Sequence, residues 1–437
     1  MIAVNSNQIL ILFCFLALGI LTSKNKVERY LQIVLIAFIF MDFAIPPGAL
    51  GIKLFDALTI LIVPFFLSSN YYKNIQISGK LKLFFAILLS SLIFGSLYSL
   101  DPLLSILRLC QQLNFFIFFI VFTSYISISG NFKKIKNLII TSICISLLFT
   151  LIQIFVGTNF TLYSFLNPNV TNEGLRFPGP FHDPQKFAQY LALSAFLFFS
   201  FSTIQSNKTK RYIIIGILVA FTIILTGSRG ALFGFAIGML FYSIVQAFNS
   251  KKLVNIFIIG AIGFSTYLFS ENTLIFKRVE SSQNDLAYRY SIWIKAYDFF
   301  LENPISGIGT GSYQAFSEKN SPEHFWKVND EKIYFDHPES GFLLWLVEYG
   351  IVGFIALISV ILIIINPFYK RNKKVHNLNL NTYLEAGIIS WIVGFITVNS
   401  LGDKRIGITL LLLFGVLFIA KYNWKSRHLK FLTKTEQ

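Results

Sequence analysis

Residues 341–366 read GFLLWLVEYGIVGFIALISVILIIIN, and PFYKRNKK follows at 367–374. One acidic residue, Glu348, interrupts the apolar run, and Lys370, Arg371, Lys373 and Lys374 close it. A helix rises about 1.5 Å per residue, so about 20 apolar residues cross the roughly 30 Å hydrocarbon layer. This stretch is long enough to span it, and its basic end belongs on the cytoplasmic side.

The pattern repeats in both directions. Further apolar runs lie at 7–23, 30–47, 52–69, 81–99, 103–128, 136–156, 186–204, 211–226, 230–247, 253–270, 382–400 and 406–421. Charged residues are 13% of the chain and hydrophobic ones 54%, against about 25% charged in a soluble domain. Lipid is therefore the solvent for most of the surface. The expected fold is an all-α polytopic membrane protein, a bundle of about 12–13 transmembrane helices forming one integral membrane domain over 1–437. The first run has no basic residues before it and reads as a retained span rather than a cleaved signal. Cys14, Cys110 and Cys144 fall within apolar runs, with no disulfide or zinc spacing, and read as small packing residues.

The net charge of +16 is not one patch, which argues against a nucleic-acid partner. Alternate loops carry 23 of the 37 basic residues, with only Glu28, Glu385 and Glu436 among the acids. The positive-inside rule puts that set in the cytoplasm and the other loops outside. Two outer segments are long, 157–185 and 271–340. The second is expected to cap the bundle as a large loop with an interfacial helix. Leu286, Tyr290, Trp293, Tyr297 and Phe300 recur there at helical spacing, which suits aromatics at headgroup level, and Asn303-Pro304 ends the helix.

Basic residues on the outer side point to chemistry. Arg229 sits in the turn TGSRG at 226–230, Arg176 opens RFPGPFHDP at 176–184, and Arg289 lies on the interfacial helix. Each has a plain reading, snorkelling to headgroups or pairing with Glu173, Asp183 or Asp403. Together they suit an anionic ligand, since the guanidinium fork fits phosphate bidentately and does not titrate. Lys404-Arg405 reads as paired with the adjacent Asp403. GIGTG at 307–311 reads first as a turn, second as a nest of N–H groups for phosphate. At 336–341, DHPESG puts an imidazole and two carboxylates at the mouth of the 341–366 span, where a general base would stand or where acids would cap a helix. His337 is the expected base with Glu339 as its partner; His182-Asp183 is a second pair.

These segments resemble the O-antigen ligase and O-antigen polymerase superfamily of bacterial membrane glycosyltransferases. The resemblance covers roughly 170–365 and rests on Arg176 to Ala188, on Thr226 to Ala231, on Arg289-x-x-x-Trp293-x-x-Ala296 with Asn303 to Gly311, and on His337 to Gly353. It implies a metal-independent transferase, without cofactor, in the bacterial inner membrane, with its active site facing the periplasm. The implied donor is an undecaprenyl-diphosphate-linked oligosaccharide, and the acceptor is a second glycan or lipid A-core. In the ligase pattern a histidine precedes Asn, Ser or Gln about nine residues before Glu-x-Gly. Counting back from Glu348-Tyr349-Gly350 places Glu339 there, with His337 two residues earlier. That departure favours a polysaccharide polymerase over a ligase. A lipid-linked sugar transporter is a third reading, disfavoured because charge gathers at span ends rather than at mid-membrane.

Overall fold

The computed structural model describes residues 25–44, 52–74, 79–97, 99–128, 130–163, 176–204, 209–250, 289–322, 325–328, 331–365 and 378–422. The runs at 7–23 and 253–270, residues 271–288 of the cap, and Glu173 and Leu286 lie outside the described residues. The helices are α1 Lys26–Ile36, α2 Leu54–Leu67, α3 Gly79–Leu97, α4 Pro102–Ile126, α5 Asn131–Val156, α6 Pro184–Ser202, α7 Thr209–Leu225, α8 Arg229–Ser250, α9 289–302, α10 Tyr313–Asn320, α11 Gly341–Ile365, α12 Leu378–Phe395 and α13 Lys404–Tyr422. The protein is an all-α polytopic membrane protein, with one short antiparallel hairpin among the described residues, β1 Phe325–Val328 and β2 Glu331–Tyr334. By length and apolar composition α4, α5, α11 and Arg229–Gln246 of α8 are able to cross a membrane; α2 and Phe85–Leu97 are shorter apolar helices.

Starts are set by local chemistry. Asp101 caps α4 by accepting from Leu104 N at 3.0 Å, and Asp183 caps α6 by accepting from Gln185 N at 2.7 Å. Pro102 and Pro184 follow those caps, where a missing N–H costs nothing. The run at 30–47 is not one helix. It stops at Ile36, makes a 3₁₀ turn at Phe38–Phe40, and turns back so that Ala44 bridges Lys53. Asp42 lies in that turn, accepts from Lys404 N at 2.9 Å and pairs with Lys53 at 3.5 Å.

Loops read as lying on one side meet one another. At the inner end Lys134 pairs with Glu28 at 3.0 Å, Asn25 donates to the Tyr71 hydroxyl at 2.9 Å, and Lys421 pairs with Glu385 at 2.7 Å. At the other end Lys404 pairs with Asp56 at 3.0 Å, and Ser99 hydrogen-bonds Ser312. Cys110 and Cys144 are free and exposed on the bundle surface, not packed within it as expected.

Helix α6 is the hub, buried on all sides. Beside it, Gly230, Gly234 and Gly238 form a four-residue repeat along α8. A Cβ on Gly234 would lie 2.5 Å from Ser390 O, and one on Gly238 2.6 Å from Ala386 O. The backbones of α8 and α12 therefore touch, the close approach that small residues permit between membrane helices. The outer segment has its own small core of Ile292, Ala296, Phe299, Ile308, Tyr313, Phe316, Phe335 and Val347. It fastens α9 and α10 to the first turns of α11.

Gly234→Leu should part α8 from α12. Overpacking typically costs about 1–3 kcal/mol, and here the clash is with backbone. The expected outcome is a clearly lowered unfolding midpoint in detergent, read by intrinsic fluorescence. Phe233→Leu, at a site 62% exposed, should leave the midpoint in place.

Candidate active site at the C-terminal end of α12

The four segments singled out in the sequence converge on the C-terminal end of α12. Two of them are neighbours at the start of α8. Phe177 N donates to Leu225 O at 3.2 Å, and the buried Arg176 donates from Nε to Thr226 O at 2.9 Å. Arg176 thus underpins the turn that carries Arg229. Gly227 permits this with φ +65; a Cβ there would lie 3.2 Å from Arg176 Nε. The glycine seam then lays the turn against α12, and a Cβ on Gly230 would lie 2.5 Å from Thr397 Oγ1.

Arg289 reaches the same place from α9. One guanidinium nitrogen donates to Thr397 O at 3.3 Å, and the other pairs with Glu339 Oε2 at 3.1 Å. A carbonyl just past a helix C-terminus carries the partial negative charge that favours such a cation. From the fourth segment, Gly341 at the start of α11 packs against the Phe395 ring, 2.0 Å from where its Cβ would stand. Trp293 Nε1 donates to Pro338 O at 3.0 Å, so α9 holds the 336–340 loop by two points, Trp293 and Arg289.

Glu339 has φ +54, the one positive value at a non-glycine among the described residues. This left-handed conformation costs of order 1–3 kcal/mol and gathers at functional sites. His337 holds it: Glu339 N donates to His337 Nδ1 at 3.0 Å. Because a backbone N–H can only donate, Nδ1 is the lone-pair nitrogen and a neutral ring carries its proton on Nε2. That nitrogen lies 3.7 Å from Asp336 Oδ1. The lone pair a general base needs is therefore engaged with Glu339, whereas the Glu339 carboxylate, about a quarter exposed, lies against Arg289.

GIGTG is a docking turn. Gly307, Gly309 and Gly311 have φ of +73, +103 and +71. Ile308 N donates to Val347 O at 2.9 Å and Gly309 N to Glu348 O at 3.1 Å, while the Glu348 carboxyl lies near the N–H groups of Gly311 and Tyr313. The anion in this nest is the protein's own Glu348, with Arg108 packed on Gly311 beside it. The sequence reading passed over Arg108, an isolated cation near the start of α4. The turn also breaks α11 at Gly350, φ +64, where a Cβ would lie 2.2 Å from Ile305 O.

The other charged candidates are structural. Arg405 is buried; it makes a bidentate pair with Asp403 at 2.9 and 2.5 Å, donates to Pro180 O at 2.6 Å, and stacks 3.7 Å from the Phe181 centroid. Burial would raise the Asp403 carboxyl, but Arg405 beside it holds it below the usual range. His182 packs edge-on to Tyr163, and burial with the nearby Lys186 lowers it, so the ring is neutral near neutral pH. Its neighbour Asp183 is spent on capping α6. Among the described residues no group of three His, Cys, Asp or Glu side chains could hold a metal ion.

Residues 214–358 match the family model described as O-antigen ligase. Over that region the chain is similar to the O-antigen ligase family. The matched region contains Arg229, Arg289, His337, Glu339 and Glu348, while Arg176 and Thr397 lie outside its bounds. An uncharacterized protein of Haemophilus influenzae is 29% identical over 188 residues, which cover 40% of this chain and 46% of that protein. The match thus spans about half the length of that relative.

Removing one partner of a buried ion pair typically costs about 3–5 kcal/mol. Asp403→Ala, which leaves Arg405 uncompensated, should therefore lose folded protein, seen as a collapsed monodisperse peak in size-exclusion chromatography. Asp336→Ala, at an exposed side chain, should keep that peak.

Proposed function

We propose that the protein is a glycosyltransferase that polymerises surface polysaccharide from polyprenyl-diphosphate-linked repeat units at the periplasmic face. The observation that carries this reading is that Arg289 joins the Thr397 carbonyl to the Glu339 carboxylate at one end of a membrane bundle, where the turn that holds Arg229 packs on Thr397 through Gly230. Arg289, with Arg229 on the neighbouring turn, suits a diphosphate leaving group, and the carboxylate paired with Arg289 suits a base. Glu339 takes the proton of the acceptor hydroxyl. The hydroxyl oxygen then bonds the anomeric carbon from the face opposite the leaving group. The bond from that carbon to the phosphate oxygen breaks, and polyprenyl diphosphate departs with inversion at the sugar. Its developing charge falls on Arg229 and Arg289, so no divalent metal is required.

His337, first in line as base from sequence, takes a positioning role here. Its ring holds Glu339 in the left-handed conformation that aims the carboxylate. Arg176 supports the turn of Arg229 rather than touching the donor. In the unliganded site Glu339 occupies Arg289, so the arriving diphosphate competes with it for that arginine. A carboxylate relieved of its cation is the stronger proton acceptor. Donor binding and activation of the base are then one event.

A second reading, transfer to lipid A-core or protein by a ligase, is favoured by the description of the matched family. The glutamate at the ligase histidine position favours the polymerase. A deletion strain separates them: loss of a polymerase leaves core capped by a single repeat unit, and loss of a ligase leaves bare core.

With purified protein and a lipid-diphosphate glycan, Arg229→Ala and Arg289→Ala should each slow transfer about a hundred- to a thousandfold, with poor rescue by Lys. EDTA should leave the wild-type rate unchanged. Glu339→Gly should abolish transfer while holding or raising the unfolding midpoint, because glycine adopts φ +54 without strain. Near wild-type rates in both arginine variants would refute the phosphate site.

A further inference from the structure

Helix α9 presents four faces. At 100° per residue, Ile292, Ala296 and Phe299 form the buried face, and Arg289, Trp293 and Phe300 lie beside it toward the 336–340 loop. Ser291, Lys295, Asp298 and Glu302 form a polar arc. Between the polar and site-facing arcs run Tyr290 at 64% exposure, Ile294 at 44%, Tyr297 at 51% and Leu301 at 54%. They fall within about 60° of arc, with no charge among them, and Ile305 at 70% extends the line past the helix end. The sequence stripe is thereby re-phased: Trp293 turns inward to Pro338, and Ile294 and Leu301 take the outer face.

We infer that this stripe is seated in the outer leaflet of the bilayer, so that lipid is the fourth partner of α9 and Arg289 rides at headgroup level. The occupant follows from continuity. Pro304 O accepts from Ile351 N at 2.8 Å, which joins the end of the stripe to α11. From that bond onward α11 exposes Ile351, Val352, Ile355 and Leu362, residues of a helix apolar enough to cross a membrane. On the other flank the glycine turn abuts Ser99, between the exposed Leu97, Leu100, Leu103 and Ile106 at the ends of α3 and α4. The apolar surface of α9 is therefore the upper margin of the lipid-facing surface of the bundle. Helices with one apolar and one charged face bind in this way, lying in the boundary between headgroups and acyl chains. The face carrying Arg289 adjoins the lipid face, which sets Arg289 beside the leaflet boundary.

This inference is independent of the transferase reading, and its test needs no turnover. Single cysteines at positions 290, 294, 297, 298, 301 and 302, in the full-length chain with Cys14, Cys110 and Cys144 replaced by Ser, are spin-labelled and reconstituted in phosphatidylethanolamine–phosphatidylglycerol vesicles. Power saturation then compares collision with oxygen, which concentrates in lipid, and with a water-soluble nickel chelate. The expected result is a severalfold higher oxygen-to-nickel ratio at Tyr290→Cys, Ile294→Cys, Tyr297→Cys and Leu301→Cys than at Asp298→Cys and Glu302→Cys. A uniformly nickel-accessible helix would overturn the proposal, because the stripe would face water. Labels shielded from both reagents along the stripe would also overturn it, because another protein surface would be the occupant.

Discussion

The backbones of α8 and α12 lie in direct contact because Gly230, Gly234 and Gly238 have no side chains to separate them. A membrane interior offers little hydrophobic drive for helices to associate, so close van der Waals approach is what remains to hold two of them in register. This seam fixes where the SRG turn meets the end of α12. Thr397 then serves as the common post, touched by the turn from one side and by Arg289 from the other. Widening the seam by one side chain would move Arg229 away from Arg289 without altering either residue.

A second fastening acts at right angles to the first. The Gly307–Gly311 turn docks on α11 through Val347, Glu348 and Ile351, and it carries the end of α9 with it. The distance from Arg289 to Glu339 is thus set by a closed loop, running from α9 through the turn to α11 and back along its first turns. The Glu348 carboxyl lies beside that turn, near the N–H groups of Gly311 and Tyr313. Glu339 carries the strain of this arrangement, and His337 is bonded where it stabilises that conformation.

The sequence displayed the fold class openly, because about twenty apolar residues between charged clusters have few other uses. It also singled out Arg229 and Arg289 as candidates, since an outer arginine at a membrane boundary departs from the usual charge bias, and His337 and Glu339, since they stand at the mouth of a span. Other features were hidden for physical reasons. The glycine repeat of α8 was visible as spacing, yet only a partner backbone gives that spacing meaning. The assignment of roles between His337 and Glu339 depended on a backbone hydrogen bond that no spacing reveals. Thr397 carries no chemical signature, because its contribution to Arg289 is a main-chain carbonyl. Asp42 and the break after Ile36 were masked by an apolar run whose turn is held by partners hundreds of residues away, at Lys404.

In the proposed site Glu339 and a diphosphate share Arg289. The most direct measurement is the affinity of purified wild-type, Glu339→Gln and Arg289→Ala proteins for farnesyl diphosphate, titrated calorimetrically in the same detergent. If the carboxylate competes for the arginine, Glu339→Gln binds more tightly than wild type and Arg289→Ala binds more weakly. Equal affinity in all three would contradict the account.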